Sequence, residues 1–151
     1  TGGVGEPFDY SGTYAGLLNW GEETPGGPGG TLNPTRAYRT TGRVLITADF
    51  TEMSVSGGVD QRSIVDIGEA LPDLALRKTG ITADGTFDGE VQRLGGTDFV
   101  SAGEYAGAFA GLDASQVAVL LVLNPNGRAN AVEQGLIVLP SCTTGGGPAC
   151  P

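Results

Sequence analysis

The amino-acid sequence predicts an all-β protein, a small antiparallel β-barrel of about eight strands with extended Gly-rich termini. The first observation behind this fold class is the stretch Gly103–Gly111, where glycines and aromatic residues alternate with alanines and a glutamate at period two. The second is that a shorter Gly-x-aromatic-x-Gly pattern recurs at Gly12–Gly16 and Gly85–Gly89. The third is a series of short alternating apolar segments that are separated by turn residues, with no segment of helical period.

The Gly-aromatic pattern indicates curvature, because glycine weakens an ordinary strand and needs a reason to recur in one. A sheet that bends into a barrel uses glycine at its kinks, and a neighbouring ring covers the bare backbone. The irregular spacing of the copies excludes a solenoid or propeller repeat. The residues that we assign to this bending motif are Gly12, Tyr14, Gly16, Gly85, Phe87, Gly89, Gly103, Tyr105, Gly107, Phe109 and Gly111.

The chain of 151 residues divides into an extended N-terminal arm (1–11), a β-barrel domain (12–141) and a disulfide-tied C-terminal tail (142–151). Asp84-Gly85 is a favoured hairpin turn, and residues 63–70 are either a short strand or a helical turn. Residues 21–34 carry no strand or helix pattern and are predicted to form a loop. The predicted strands are Gly12–Trp20, Arg36–Phe50, Met53–Val59, Leu74–Ile81, Thr86–Leu94, Gly103–Gly111, Val117–Leu123 and Glu133–Leu139.

Composition excludes several classes of function. Seventeen acidic residues against 8 basic ones give a net charge of −9, which disfavours nucleic acid and anionic membrane surfaces as partners. Histidine is absent from the sequence, which removes Ser-His-Asp and Cys-His catalysis and histidine-ligated haem or zinc. The arginines are scattered, so a solvated surface is the expected place for them, Arg62 included. We therefore expect no enzyme activity, no metal site, no cofactor and no membrane-spanning segment.

Both cysteines lie near the C-terminus, as Cys142 and Cys150 on either side of a Gly-rich segment. A redox pair is one interpretation, but the spacing is not Cys-x-x-Cys. A structural disulfide that ties the tail to the last strand is the interpretation that we favour. It implies an oxidising compartment such as the periplasm, the cell surface or the medium.

The last two strands are apolar on both faces, which a small barrel does not require. If Val117, Val119, Leu121 and Leu123 point inward, then the alternate residues point outward and form a patch that a soluble monomer would normally avoid. The chain's own Gly-rich arm could instead cover this patch. The candidate interface residues, on the last two strands and in the arm, are Val4, Phe8, Tyr10, Ala118, Leu120, Val122, Ile137 and Leu139.

The pattern Gly103-x-Tyr105-x-Gly107-x-Phe109-x-Gly111-x-x-Ala114-x-x-Val117 resembles the signature of the β-barrel domain in the transferrin-binding protein B family. Residues 48–57 resemble that family's preceding hairpin, and the resemblance covers roughly residues 12–139. It implies a barrel on the outer surface of a Gram-negative bacterium. It also implies binding of iron- or haem-carrying proteins or of other host proteins.

These observations lead to two hypotheses about function. The first is a non-enzymatic extracellular or cell-surface barrel that acts through protein–protein contacts and self-associates as a subunit of a surface assembly or fibre. The second follows from the resemblance and is a surface nutrient-binding protein that captures an iron- or haem-carrying protein.

Overall fold

The protein is an all-β barrel in a computed structural model that describes residues 7–20, 37–125, 127, 131–142 and 150. A short 3-10 turn over Leu112–Ala114 stands between the seventh and eighth strands, and the described residues contain no α-helix. The nine strands are β1 (Phe8–Trp20), β2 (Ala37–Asp49), β3 (Ser54–Ile64), β4 (Glu69–Ala70), β5 (Leu74–Gly80), β6 (Thr86–Gly95), β7 (Asp98–Ala110), β8 (Gln116–Leu123) and β9 (Ala131–Pro140).

Eight of these strands close into an antiparallel barrel in the order β2-β1-β9-β8-β7-β6-β5-β3, and β3 pairs with β2 to complete the circle. The two-residue β4 adds to the end of β3 and lies outside the closed set. The predicted fold class is therefore confirmed. None of the helical segments in the described part of the chain has the length and apolar character that a membrane crossing requires.

Most strand boundaries agree with the sequence prediction, but β1, β3 and β7 extend beyond it. Strand β7 begins at Asp98, whereas the predicted strand begins at Gly103. Strand β1 begins at Phe8, so residues 8–11, predicted as part of an arm, are hydrogen-bonded to the end of β2. The ambiguous segment 63–70 is the end of β3, a turn and β4. Val4 and the predicted loop 21–34 lie outside the described residues.

Aromatic rings lie over glycines on the neighbouring strand. The β6–β7 register places Phe87 opposite Gly107 and Gly89 opposite Tyr105. A Cβ added at Gly89 would meet Tyr105 Cε1 at 2.8 Å, and one added at Gly107 would meet Phe87 Cζ at 2.5 Å. The rings of Phe87 and Tyr105 therefore need glycine at the paired position of the neighbouring strand.

The barrel interior holds two apolar clusters. The larger one is closed by rings, with Phe50 and Phe109 at a centroid distance of 5.1 Å and Tyr10 and Phe109 at 5.5 Å. The smaller cluster contains Leu18, Ile64, Leu71 and Ala131. Along β9 a buried glutamate, Glu133, lies between Ala131 of the smaller cluster and Ile137 of the larger one.

Candidate interaction surface

The outer wall formed by β8, β9 and β1 is apolar. Strands β8 and β9 alternate strictly between buried and exposed side chains. Leu17, Leu120, Val122, Leu136 and Val138 are between 51% and 62% exposed, although each is a large apolar residue. We call this surface the β9 face, and it comprises Ala15, Leu17, Ala118, Leu120, Val122, Val132, Gln134, Leu136 and Val138.

Ladder pairing brings the large apolar side chains of the β9 face next to one another. Leu120 of β8 lies directly opposite Leu136 of β9, and Val122 lies opposite Gln134. Gln134 in turn lies opposite Leu17 of β1. A shallow groove on this wall is lined by Leu17, Leu120, Leu136 and, from the turn after β3, Val65. The exposed apolar residues therefore form one contiguous patch.

Charged side chains lie on the other walls of the barrel. Arg43 of β2 pairs with Asp60 of β3 at 2.7 Å, and this hydrogen-bonded pair lowers the pKa of the Asp60 carboxyl. Lys78 pairs with Glu52 at 2.9 Å on the same side. The outward positions of β8 and β9, by contrast, contain no ionisable residue: Gln116, Ala118, Leu120, Val122, Val132, Gln134, Leu136, Val138 and Pro140.

The predicted interface residues fall into three groups in the structure. Ala118, Leu120 and Val122 are exposed on the β9 face. Phe8 is half-buried against Phe50 in the interior cluster, with ring centroids 5.5 Å apart. Tyr10, Ile137 and Leu139 are buried in the barrel, so their assignment to an exposed surface is wrong.

The error on β9 has a simple physical origin. Both faces of this strand are apolar, so hydrophobicity alone could not choose between Ile137 and Leu139 on one face and Leu136 and Val138 on the other. The charged residue of β9, Glu133, favours the wrong choice because it shares the inward face with Ile137 and Leu139. Leu136 and Val138 were therefore missed as members of the exposed surface, and Leu17 of β1 was missed as well.

A buried ion pair joins β3 and β9 inside the barrel. Arg62 Nη2 lies 2.5 Å from Glu133 Oε1 and 2.6 Å from Oε2, and both side chains are fully buried. Glu133 Oε2 also accepts hydrogen bonds from the Tyr14 hydroxyl at 2.5 Å and from Thr40 Oγ1 at 2.8 Å. The Arg62 guanidinium stands 5.6 Å from the centroid of the Tyr14 ring. The expectation that Arg62 lies on a solvated surface is therefore wrong.

A β-bulge turns Arg62 into the barrel. Gln61 and Arg62 of β3 together oppose the single residue Gly42 of β2, and Gln61 adopts a positive φ of 48°. Val59 points inward, so a regular strand would also point Gln61 inward and Arg62 outward. The extra residue reverses this order, and sequence alternation alone could not reveal it.

The buried cluster is closed to solvent. Its carboxylate and hydroxyl groups are shielded from solvent. Burial and the nearby charge of Glu133 raise the pKa of Tyr14 above its usual value, which keeps the hydroxyl protonated. A Cβ added at Gly16 would approach Thr40 Oγ1 to 2.5 Å, so glycine there leaves room for the cluster. This arrangement is a structural link between β1, β2, β3 and β9.

The C-terminal cysteines form the predicted disulfide, which joins Cys142 to Cys150. The Cys142 backbone N–H donates to the Asp9 carbonyl at 2.7 Å, so the disulfide is attached to the start of β1 as well as to the end of β9. Among the residues that the structure describes, no three cysteines or carboxylates come together as a possible metal site.

Comparison with known proteins adds information on the fold. Neither a family model nor a curated protein sequence matches this chain. Solved structures do match, including two mutants of transferrin-binding protein B from Haemophilus parasuis Hp5 with TM-scores of 0.53 and 0.55. Intact Ap-TbpB, with its N and C lobes, matches with a TM-score of 0.53. This chain has a transferrin-binding protein B-like barrel fold.

The likeness to transferrin-binding protein B establishes the fold alone, because sequence identity is 14%. The matches cover 92% of this chain but only 26–27% of the other proteins. This chain therefore spans about a quarter of the length of the proteins that it resembles.

Proposed function

We propose that this protein is a non-enzymatic barrel that acts by protein–protein contact and self-associates through the β9 face as a subunit of an extracellular or cell-surface assembly. The observation that carries the proposal is the contiguous, uncharged apolar wall formed by Leu17, Leu120, Val122, Leu136 and Val138. Soluble monomers rarely expose large contiguous apolar patches, and such patches mark interaction sites. The disulfide supports an oxidising location outside the cytoplasm.

A second copy of this chain is the partner that best fits the charge distribution. The protein has a net charge of −9, so two copies repel each other over most approaches. The β9 face is a wall on which neighbouring outward positions of two strands carry no charge, so repulsion there is at its weakest. A strongly basic partner would instead gain most from the acidic parts of the surface. The uncharged face therefore favours self-association.

Capture of an iron- or haem-carrying protein is the second candidate function. The fold likeness to transferrin-binding protein B is the observation that favours it. In this case the β9 face would contact the captured protein, and the purified chain alone would remain monomeric.

Leu120→Glu tests the proposal. A glutamate there would be buried without a partner at the contact, which costs several kcal/mol, so the dissociation constant should rise at least about 100-fold. The isolated barrel should stay folded, because the new side chain points into water. We would measure mass by sedimentation velocity over a concentration series, together with the thermal unfolding midpoint.

Ala75→Glu is the matched control. Ala75 is half-buried and points outward on β5, between inward-facing Leu74 and Leu76 on another wall of the barrel. This change should leave association as in the wild type. A wild-type protein that stays monomeric at high concentration would refute self-association and favour the carrier-capture alternative. A folded Leu120→Glu protein that associates normally would show that the β9 face is not the contact.

A further inference from the structure

The β9 face has a lateral order in addition to its apolar character. The ladder registers connect five residues on five neighbouring strands into one row. From β7 to β2 the row is Glu104, Val122, Gln134, Leu17 and Arg39. The row thus has an acid at one end, a base at the other, and an amide on its central strand β9.

The next row toward the start of β1 crosses the same five strands. Ala106 lies opposite Leu120, Leu120 opposite Leu136, Leu136 opposite Ala15, and Ala15 opposite Thr41. Its central residue on β9 is the large Leu136. Leu136 has the large Leu120 on one side, on β8, and the small Ala15 on the other side, on β1.

The charges at the two ends of the first row differ in their surroundings, because Arg39 already forms an ion pair with Asp66. Glu104 is exposed and has no ion pair among the described residues. The Arg39 side chain is 69% exposed, and Asp66 accepts hydrogen bonds from its Nε and Nη2. Within the described part of the chain, the Nη1 group of Arg39 has no acceptor.

We propose that a second copy packs on the β9 face with a twofold axis that runs along β9. This arrangement rests on the proposed self-association and specifies its geometry. A half-turn about that axis places Val122 against Leu17 of the second copy, and Gln134 against Gln134. In the next row Leu120 meets the small Ala15 of the second copy, and Leu136 meets Leu136.

The Glu104 charge favours this orientation over the other possible one. With the axis along β9, the Glu104 border of one copy faces the Arg39 border of the other. With the axis along the row, Glu104 would face Glu104 and Arg39 would face Arg39. Both end residues lie two strand spacings from β9, about 10 Å, on walls that curve away from the contact. Their interaction is therefore partly screened by salt, and it affects orientation more than affinity.

The proposed symmetry limits the size of the assembly. A twofold contact uses the same patch on both copies, so it closes after two chains and produces a dimer. A fibre would require a second, different contact elsewhere on the barrel. The β9 face alone therefore predicts a dimer as the species in solution.

Cysteine cross-linking tests the position of the axis. Both native cysteines are in the disulfide, so an introduced cysteine is the single free thiol. Gln134→Cys and Leu136→Cys place the thiol opposite the same thiol of the second copy, and a short bifunctional thiol cross-linker that spans the roughly 10 Å between packed sheets should convert most of each protein to covalent dimer. Val122→Cys alone should cross-link at least about tenfold more slowly, because its two copies are displaced sideways by a further two strand spacings, about 10 Å. An equal mixture of Val122→Cys and Leu17→Cys should form the mixed dimer rapidly.

Ala75→Cys on another wall measures cross-linking by random collision. If Val122→Cys alone forms dimer as fast as Leu136→Cys, or if the mixture with Leu17→Cys does not cross-link, the axis is not along β9. In that case, loss of association in the Leu120→Glu variant would still support self-association through the β9 face. A wild-type protein that is monomeric at all concentrations would instead overturn both inferences.

Charge reversal tests the orientation independently. Arg39→Glu and Glu104→Arg should each weaken the dimer several-fold at low salt, and the double variant should return to within about threefold of the wild type. The single-variant effects should shrink at about 0.5 M NaCl, because they depend on charge. A double variant that is weaker than either single variant would contradict the opposed placement of these two side chains.

Discussion

At the scale of single residues, the Arg62–Glu133 pair shows how this barrel accommodates charge in its interior. Glu133 receives hydrogen bonds from Arg62, Tyr14 and Thr40, so most of its carboxylate is satisfied. Arg62 donates also to the Pro72 carbonyl at 3.2 Å, and its Nε has no partner among the described residues. A buried pair of this kind gains little over apolar residues of the same shape, but breaking it is costly because one charge remains.

We expect Arg62→Met to destabilise the fold by about 3–5 kcal/mol, because it leaves the Glu133 carboxylate buried without its counter-charge. The double variant Arg62→Met with Glu133→Gln should recover a large part of that loss. The amide oxygen introduced by the second substitution would still accept from Tyr14 and Thr40, and no buried charge would remain. Urea unfolding followed by circular dichroism gives both free energies. If the double variant is as unstable as the sum of the two single ones, the two charges are not coupled as the structure indicates.

At the scale of strands, the inward face of a strand could be predicted from the sequence only where its two faces differ in composition. The Gly-aromatic stretch of β7 was assigned correctly because its alternation has one dominant solution. Strand β8 is apolar on both faces, and the structure buries the face that was taken as inward. The orientation of β9 was not predictable, since Ile137 and Val138 are equally apolar and only pairing with β1 and β8 decides which one is buried. The inward orientation of Arg62 was not predictable for a different reason. A bulge reverses which residues of a strand point inward, and this bulge has no distinct sequence signal.

The bulge in β3 predicts the effect of a substitution at Gln61. This residue has a φ of 48°, a left-handed conformation that costs a non-glycine residue about 1–2 kcal/mol. Gln61→Gly should remove that strain, and the greater freedom of glycine in the unfolded chain should offset part of the gain. We expect a net stabilisation of about 0.5–1 kcal/mol in chemical unfolding.

Gln61→Ala is the matched control for this prediction. It removes the same exposed side chain and retains the Cβ, so stability should stay near that of the wild type. If alanine stabilises the protein as much as glycine does, the gain comes from the side chain and not from the backbone.

At the scale of the whole molecule, the barrel has charged residues in its interior and apolar residues on part of its exterior. A charged pair is buried inside, while large aliphatic residues such as Leu120 and Leu136 face outward on one wall. The interior pair links β3 to β9 across the barrel, so the strand that carries the centre of the exposed face is also held from within. This connection predicts a rigid β9 face whose geometry does not depend on the partner.

The three buried tyrosines predict how the stability of the whole barrel depends on pH. Burial raises the pKa of Tyr10 to about 12, and burial and the nearby Asp88 charge raise that of Tyr105 to about 12. The pKa of Tyr14 is also raised, by burial and by Glu133. Below about pH 10 these hydroxyls are protonated in both states, so they contribute no pH dependence.

Above about pH 10 the unfolded chain releases protons that the folded chain retains, so the free energy of unfolding should fall as pH rises. Each tyrosine contributes a slope of at most about 1.4 kcal/mol per pH unit. We would measure urea unfolding at intervals between about pH 8 and pH 11.5. Tyr105→Phe should be less stable at the low end of this range, because its hydroxyl donates to the Arg77 carbonyl. Its stability should nevertheless fall less steeply with pH than that of the wild type, because one titrating group is gone. An identical slope in the two proteins would show that Tyr105 ionises as readily in the barrel as in the unfolded chain.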